Sequence, residues 1–219
     1  MYCIDAVTGQ GLWNVSFWGL FPIIADGYAV SFNYYDGLVY CFGKGESQST
    51  ITTAPKVSTF GSSVLIEGKV IDKTASANGA AAVSDASMTN WMEYLYMQQP
   101  QPTNATGVKV TLDVIDSNGN YRNIGETTTD LTGAYSFTWQ PDIPGKYTIL
   151  ASYAGSDSYG SSFAETALQV DEVPQTSATP IADTAKPMTD TYVLAVGAAI
   201  IVAIAIVGAV IVTMLRKRP

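Results

Sequence analysis

The sequence contains no histidine, and charge of either sign is thin: 14% of its 219 residues are charged, 11 basic against 19 acidic. Losing histidine removes the commonest general base and the commonest metal ligand together, which argues against triad hydrolysis and zinc hydrolysis by these residues. A net charge of −8 argues against nucleic acid as a partner, because affinity for a duplex comes largely from Lys and Arg on phosphates. The length allows one or two domains and excludes a large multidomain enzyme. No residue set with evident catalytic chemistry remains, so the sequence informs on architecture and location more than on reaction.

The clearest positive feature is the run Tyr192 to Leu215, apolar throughout and without a charged residue, followed by Arg216-Lys217-Arg218. As a helix it is about 36 Å long, enough to cross a bilayer. Tyr192 stands where an interfacial aromatic is expected. Residues 1–190 carry 8 basic and 19 acidic side chains, net −11, whereas the tail 216–219 carries +3. The positive-inside rule therefore predicts a cytoplasmic C-terminus and an extracellular N-terminal region, that is, a single-pass cell-membrane protein. The row Ala195, Ala199, Ala203 is read as ordinary membrane-helix composition. Met1-Tyr2-Cys3-Ile4-Asp5 has no basic n-region, apolar h-region or cleavage site. A translocated bulk needs such a signal, so the expectation is a fragment, the C-terminal piece of a longer exported protein.

Strand-like runs joined by turns fill the first 45 residues. Leu12 to Trp18, Pro22 to Ala25, Tyr28 to Tyr34 and Leu38 to Phe42 are separated by Asp26-Gly27 and Asp36-Gly37. Tyr2-Cys3-Ile4 recurs 38 residues on as Tyr40-Cys41-Phe42, near the spacing of propeller blades. Asp5 and Thr8 can cap a tight turn through their side chains, Gly9 supplies a positive φ, and Trp13 offers a flat packing surface. The set Tyr2, Ile4, Asp5, Ala6, Thr8, Gly9 and Trp13 resembles the blade signature of pyrroloquinoline-quinone-type (PQQ-like) β-propeller repeats. The resemblance implies the terminal blade of an array, since the second copy replaces the turn with Gly43-Lys44-Gly45. It implies no cofactor in this chain: ligands for PQQ and calcium would lie in blades outside it. Cys3 and Cys41, on equivalent strands, are expected as two buried free thiols.

A polar Ser/Thr stretch from Gly45 to Thr53 precedes a region of clean alternation. Val64, Ile66 and Val70 share a face, as do Val108, Val110, Leu112 and Val114, then Tyr135, Phe137 and Trp139, then Tyr147, Ile149, Ala151 and Tyr153. Turns at Asn118-Gly119, Thr132-Gly133, Pro144-Gly145 and Gly155-Ser156 separate them, predicting an immunoglobulin-like (Ig-like) β-sandwich over 54–170. The run from Asp130 to Trp139 with Pro144-Gly145-x-Tyr147 resembles bacterial and archaeal Ig-like surface repeats, which implies a stalk, spacer or adhesive module on an archaeal cell surface. Residues 74–106 read as an insertion with a helix at about 85–99, capped by Asp85 and stopped by Pro100. Its stripe Met88, Trp91, Met92, Leu95, Tyr96 is expected to lie on the sandwich, with a partner contact surface as the alternative. Asp116-x-Asn118-x-Asn120 lacks the later residues of a calcium loop and is read as a hairpin turn. Asn14-Val15-Ser16 and Asn104-Ala105-Thr106 are candidate N-glycosylation sites, and the Thr/Ser/Pro-rich 171–190 is a candidate stalk.

These readings combine into a mainly β protein: terminal propeller blade over 1–45, Ig-like sandwich, stalk, transmembrane helix 192–215 and tail. Its expected function is display of the propeller for binding a ligand, glycan or cell-surface protein, without catalysis. Two rivals stand beside it: a membrane-tethered PQQ-dependent dehydrogenase with its catalytic site upstream, and a purely structural envelope component.

Overall fold

The computed structural model describes residues 1–174 and 189–217, which fall in two compact units, Met1–Val173 and Pro174–Pro219. The expected stalk lies almost wholly outside the described residues. In the second unit, α2 (Thr189–Arg216) is one continuous helix. Within its stretch Thr191–Arg216 an 18-residue window has a mean hydropathy of 3.0, so the helix is long and apolar enough to cross a membrane.

The first unit begins with two small sheets. Strands β1 (Tyr2–Ile4) and β2 (Gly11–Asn14) form an antiparallel hairpin; β3 (Ile23–Ala25), β4 (Tyr28–Phe32) and β5 (Val39–Phe42) form a three-stranded meander. The β3–β4 connection is the two-residue turn Asp26-Gly27, whose φ angles of 51° and 80° give it the twist that matches paired strands. The expected strand Leu12 to Trp18 is shorter. It stops at Asn14 because the chain turns aside at Val15, carrying Phe17 edge-on against Tyr40 and Phe42, and Trp18 against Tyr34 and Tyr35. Among the described residues no sheet closes into a barrel or propeller.

The remainder is a sandwich. Strands β6 (Ser47–Ala54), β8 (Val64–Asp72) and β11 (Ala134–Trp139) make one sheet, ordered β11-β8-β6. Strands β7 (Val57–Thr59), β9 (Lys109–Ile115), β10 (Tyr121–Thr128), β12 (Gly145–Tyr153) and β13 (Ser162–Asp171) make the other, ordered β10-β9-β12-β13-β7. All pairings are antiparallel except β13 with β7. Two facing sheets with this strand distribution, and a first strand that passes from one sheet to the other, make an immunoglobulin-like β-sandwich.

The alternation seen in the sequence builds its core. Val64, Ile66, Val70, Val110, Leu112, Val114, Ile149, Ala151, Leu168 and Val170 are buried between the sheets with Tyr135 and Tyr147. Each fully buried aliphatic contributes about 1.5–3 kcal/mol, so period-two patterning fixes which face each strand turns inward. Gly68 stands opposite Tyr135 in the β8–β11 register, and the Tyr135 ring crosses the space a Cβ would take there, its hydroxyl donating to Thr50 O at 2.8 Å.

Two expectations need correction. The polar stretch Gly45 to Thr53 is not a prelude: the sandwich begins with β6 at Ser47, ahead of the expected boundary at 54. Its inward residues are mostly hydroxyls, Ser47, Ser49 and Thr53 with Ile51, so no apolar alternation marked it. Ser47 Oγ donates to Gly160 O at 2.6 Å and lies 2.8 Å from Ser162 Oγ, as does Ser49 Oγ, forming a hydroxyl seam between β6 and β13. The helix of the insertion, α1 (Asp85–Tyr96), ends before 99, because Met97 leaves helical geometry and Gln98 takes a φ of 55°. Ser84 occupies the cap position. The Asp85 carboxylate instead accepts from Ser156 Oγ at 2.8 Å and from the amides of Asp157 and Ser158, pinning the β12–β13 loop to the helix.

Candidate functional site

The N-terminal sheets hold the residues with the strongest motif. Asp5 Oδ1 accepts the amides of Val7 at 2.9 Å and Thr8 at 2.6 Å, Thr8 Oγ1 accepts the amide of Gln10, and Gly9 has a φ of 73°. The Thr8 amide and hydroxyl hold the Asp5 carboxyl below its ordinary value, so the turn favours the ionised form. Tyr2 and Ile4 are exposed, and Trp13 projects from the other face of the hairpin onto Phe42, with ring centroids 5.6 Å apart and planes 21° from parallel.

That contact defines the geometry of the site. The register of β3–β4–β5 places Ile24, Ala29, Ser31, Tyr40 and Phe42 on one face, where Trp13 and Phe17 cover the side formed by Tyr40 and Phe42 while Ile24 at the β3 edge stays exposed. On the opposite face stand Ile23, Ala25, Tyr28, Val30, Phe32, Val39 and Cys41. This face carries no charged side chain and is open: Ile23 is 76% exposed and Val39 68%. The outer face of the hairpin is open too, with Tyr2, Ile4 and Leu12 in solvent beside Asn14. An antiparallel sheet ordinarily turns a polar face to water, so an open apolar face marks a contact surface. That pattern was the signal available in the sequence for this face, and reading it strand by strand missed the continuous patch.

Cys3 and Cys41 are both free. They differ from expectation in burial: Cys3 is half-buried on the Trp13 side of the hairpin, whereas Cys41 is exposed because its face of the meander is uncovered. On the same strand, Tyr40 Oη donates to Asp36 Oδ2 at 2.6 Å, and burial followed by that hydrogen bond pushes its pKa up to about 12.

The helix stripe is not an open surface. Trp91 is 2% exposed and packs with Ala81 and Val83, Met88 reaches both this cluster and the sandwich core, Leu95 packs beside it, and Met92 and Tyr96 are half-buried. The same helix meets the N-terminal segment through polar contacts: Ser16 N donates to Glu93 Oε1 at 3.1 Å, and Tyr40 Oη lies 3.1 Å from Tyr96 O. In the Asp116 turn, Oδ1 accepts the amides of Asn118 and Asn120, and Oδ2 accepts Asn120 Nδ2 at 3.0 Å, so the carboxylate is satisfied within its own turn. Asn14 ends β2, and Asn104 sits exposed in the connection between α1 and β9. Ala195, Ala199 and Ala203 lie exposed on α2.

No protein-family model matches the chain, and no curated protein matches it. Among solved structures it is similar to the CARDB domain of a Pyrococcus furiosus protein crystallised with di-metal ions: 12% identity, 58% of this chain and 93% of that chain covered, TM-score 0.29. It is also similar to the alkylpurine DNA glycosylase AlkC of Pseudomonas fluorescens bound to DNA containing an abasic-site analog: 11% identity, TM-score 0.29. That match covers 58% of this chain, which spans 31% of the glycosylase. Likeness at this level assigns neither protein's ligand to this chain, and the sandwich stands on its own strand order.

Proposed function

We propose that the protein is a single-pass surface protein whose Ig-like sandwich carries a propeller-type sheet stack, held outside the cell by α2. Its role is display: the stack presents a binding head for a ligand, glycan or neighbouring surface protein, and these residues perform no chemistry of their own. The observation that carries the reading is the open, charge-free face of β3–β5, with Phe42 on the opposite face already covered by a hairpin delivering Trp13. We assign that open face one occupant, a further sheet of the same repeat, because repeat units bury their faces against neighbours of their own kind. An exposed apolar face of this extent is a contact surface in a soluble environment. The charge split of −11 before the helix and +3 after it supports placing the sandwich and sheets outside.

Cys41 lies on the assigned face, which makes its thiol the reporter. In protein isolated from the membranes of the cell that makes it, a water-soluble maleimide followed by peptide mapping should leave Cys41 unmodified until the protein is denatured. Ready labelling of Cys41 in the native protein would show the face bare and overturn the stacked-sheet reading.

A further inference from the structure

The two Asn-x-Ser/Thr tripeptides occupy unlike settings. Asn14 is the last residue of β2 and pairs with Tyr2. The residue after it, Val15, is buried; its amide donates to Met1 O at 3.0 Å and its carbonyl accepts from the Met1 amino group at 2.8 Å. The next amide, of Ser16, is held by Glu93. This tripeptide is therefore tied down by a hydrogen-bonded backbone at every residue, with Asn14 on the same face as Tyr2, Ile4 and Leu12. A glycan there stands between that apolar face and any sheet packed on it.

Asn104 differs at each point. It lies in a turn outside every strand, in a connection whose residues from Gln98 to Asn104 are exposed except for half-buried Pro102. Thr106, two residues on, has its hydroxyl 2.6 Å from Ser84 Oγ and its amide donating to Ser87 Oγ at 2.9 Å, so the body begins only after the acceptor asparagine. A bulky, strongly hydrated group on Asn104 projects into solvent and displaces nothing in the fold. N-linked acceptor sites belong on surface loops of exported proteins.

We infer that Asn104, and not Asn14, carries an N-linked glycan; the inference rests on the proposed extracellular placement of the sandwich. In the transfer, Asn104 Nδ2 bonds to the anomeric carbon of a polyprenyl-phosphate-linked or pyrophosphate-linked sugar. The bond from that carbon to the phosphate oxygen breaks, the lipid phosphate leaves with the electron pair, and one amide proton passes to the transferase's base.

The test exports the full chain behind a cleavable leader in a cell that glycosylates Asn-x-Ser/Thr. Glycosidase-sensitive mass is the readout. A second readout, labelling of an Asn118→Cys thiol by a membrane-impermeant maleimide in a Cys3→Ser, Cys41→Ser background, reports the side of the membrane. The expected result is one glycan, located at residue 104 by peptide mapping, lost in Asn104→Gln and Thr106→Ala, and retained in Asn14→Gln and Thr106→Ser. A glycan lost in Asn14→Gln, or retained in Asn104→Gln, overturns the assignment. Absence of glycan with the thiol labelled from outside overturns the site and leaves the placement standing. Absence of glycan with labelling only after permeabilisation overturns both.

Discussion

Tyr147 Oη lies 2.8 Å from Oδ1 of Asp142, and the same hydroxyl lies 3.1 Å from both the amide nitrogen and the carbonyl oxygen of Ile143. A buried ring on the strand that follows the connection thus ties that connection down by its one polar atom, the tyrosine-corner arrangement of Ig-like sandwiches. Asp142 in turn receives both terminal nitrogens of Arg122 from β10, so one carboxylate joins a core tyrosine to an edge strand.

Tyr147→Phe keeps the ring and removes the hydroxyl, leaving the Ile143 amide without its acceptor. The expected cost is about 1–3 kcal/mol, read as a lowered denaturation midpoint with an unchanged slope. An unchanged midpoint would show that the hydroxyl does not hold the connection.

The Arg122 guanidinium, followed by the Tyr147 hydroxyl, holds the Asp142 carboxyl well below its ordinary value of about 3.9. A native pKa below the unfolded one means that this stabilisation is complete above the unfolded value and is lost as pH falls through the native one. Thermal midpoints measured from neutral to acid pH should fall below about pH 4, and Asp142→Asn should start lower and fall less steeply.

Gly68→Val should destabilise the sandwich by about 1–3 kcal/mol, since its side chain meets the Tyr135 ring and Thr50 O. Combining it with Tyr135→Ala should cost less than the sum of the two single changes. A simple sum in the double-mutant cycle would separate the two sites.

Charge on the open sheet face separates surface from core. Val39→Lys should leave the unfolding free energy of the chain within about 0.5 kcal/mol of wild type and reduce its association at high concentration, because the side chain is largely exposed. Trp13→Ala, on the covered face, should instead expose Phe42 and increase binding of an apolar dye.

The sandwich was legible where its inward residues were apolar. Val110, Leu112 and Val114, or Ile149 and Ala151, announce their face by alternation alone. Strand β6 was not legible, because Ser47, Ser49 and Thr53 face inward as hydroxyls satisfied across the seam or buried beside it, and a polar alternation has no contrast with its polar outer face. Asp85 was placed at the right helix end and given the wrong partner: its acceptors' donors come from residues 156–158, a pairing that only the closed fold brings about. The turn at Asp5 to Gly9 was readable because its chemistry is local, whereas the open face of β3–β5 appears only once three strands are set in register.

The central claim is that the sandwich and its sheets lie outside the membrane that α2 crosses, with the basic tail inside. Two single-cysteine variants in a Cys3→Ser, Cys41→Ser background, Asn118→Cys in the exposed β9–β10 turn and Lys217→Cys beyond the helix, test it in intact cells with a membrane-impermeant maleimide. The account predicts immediate labelling at position 118 and labelling at position 217 only after permeabilisation. The reverse pattern, or equal labelling of both positions in intact cells, would contradict it.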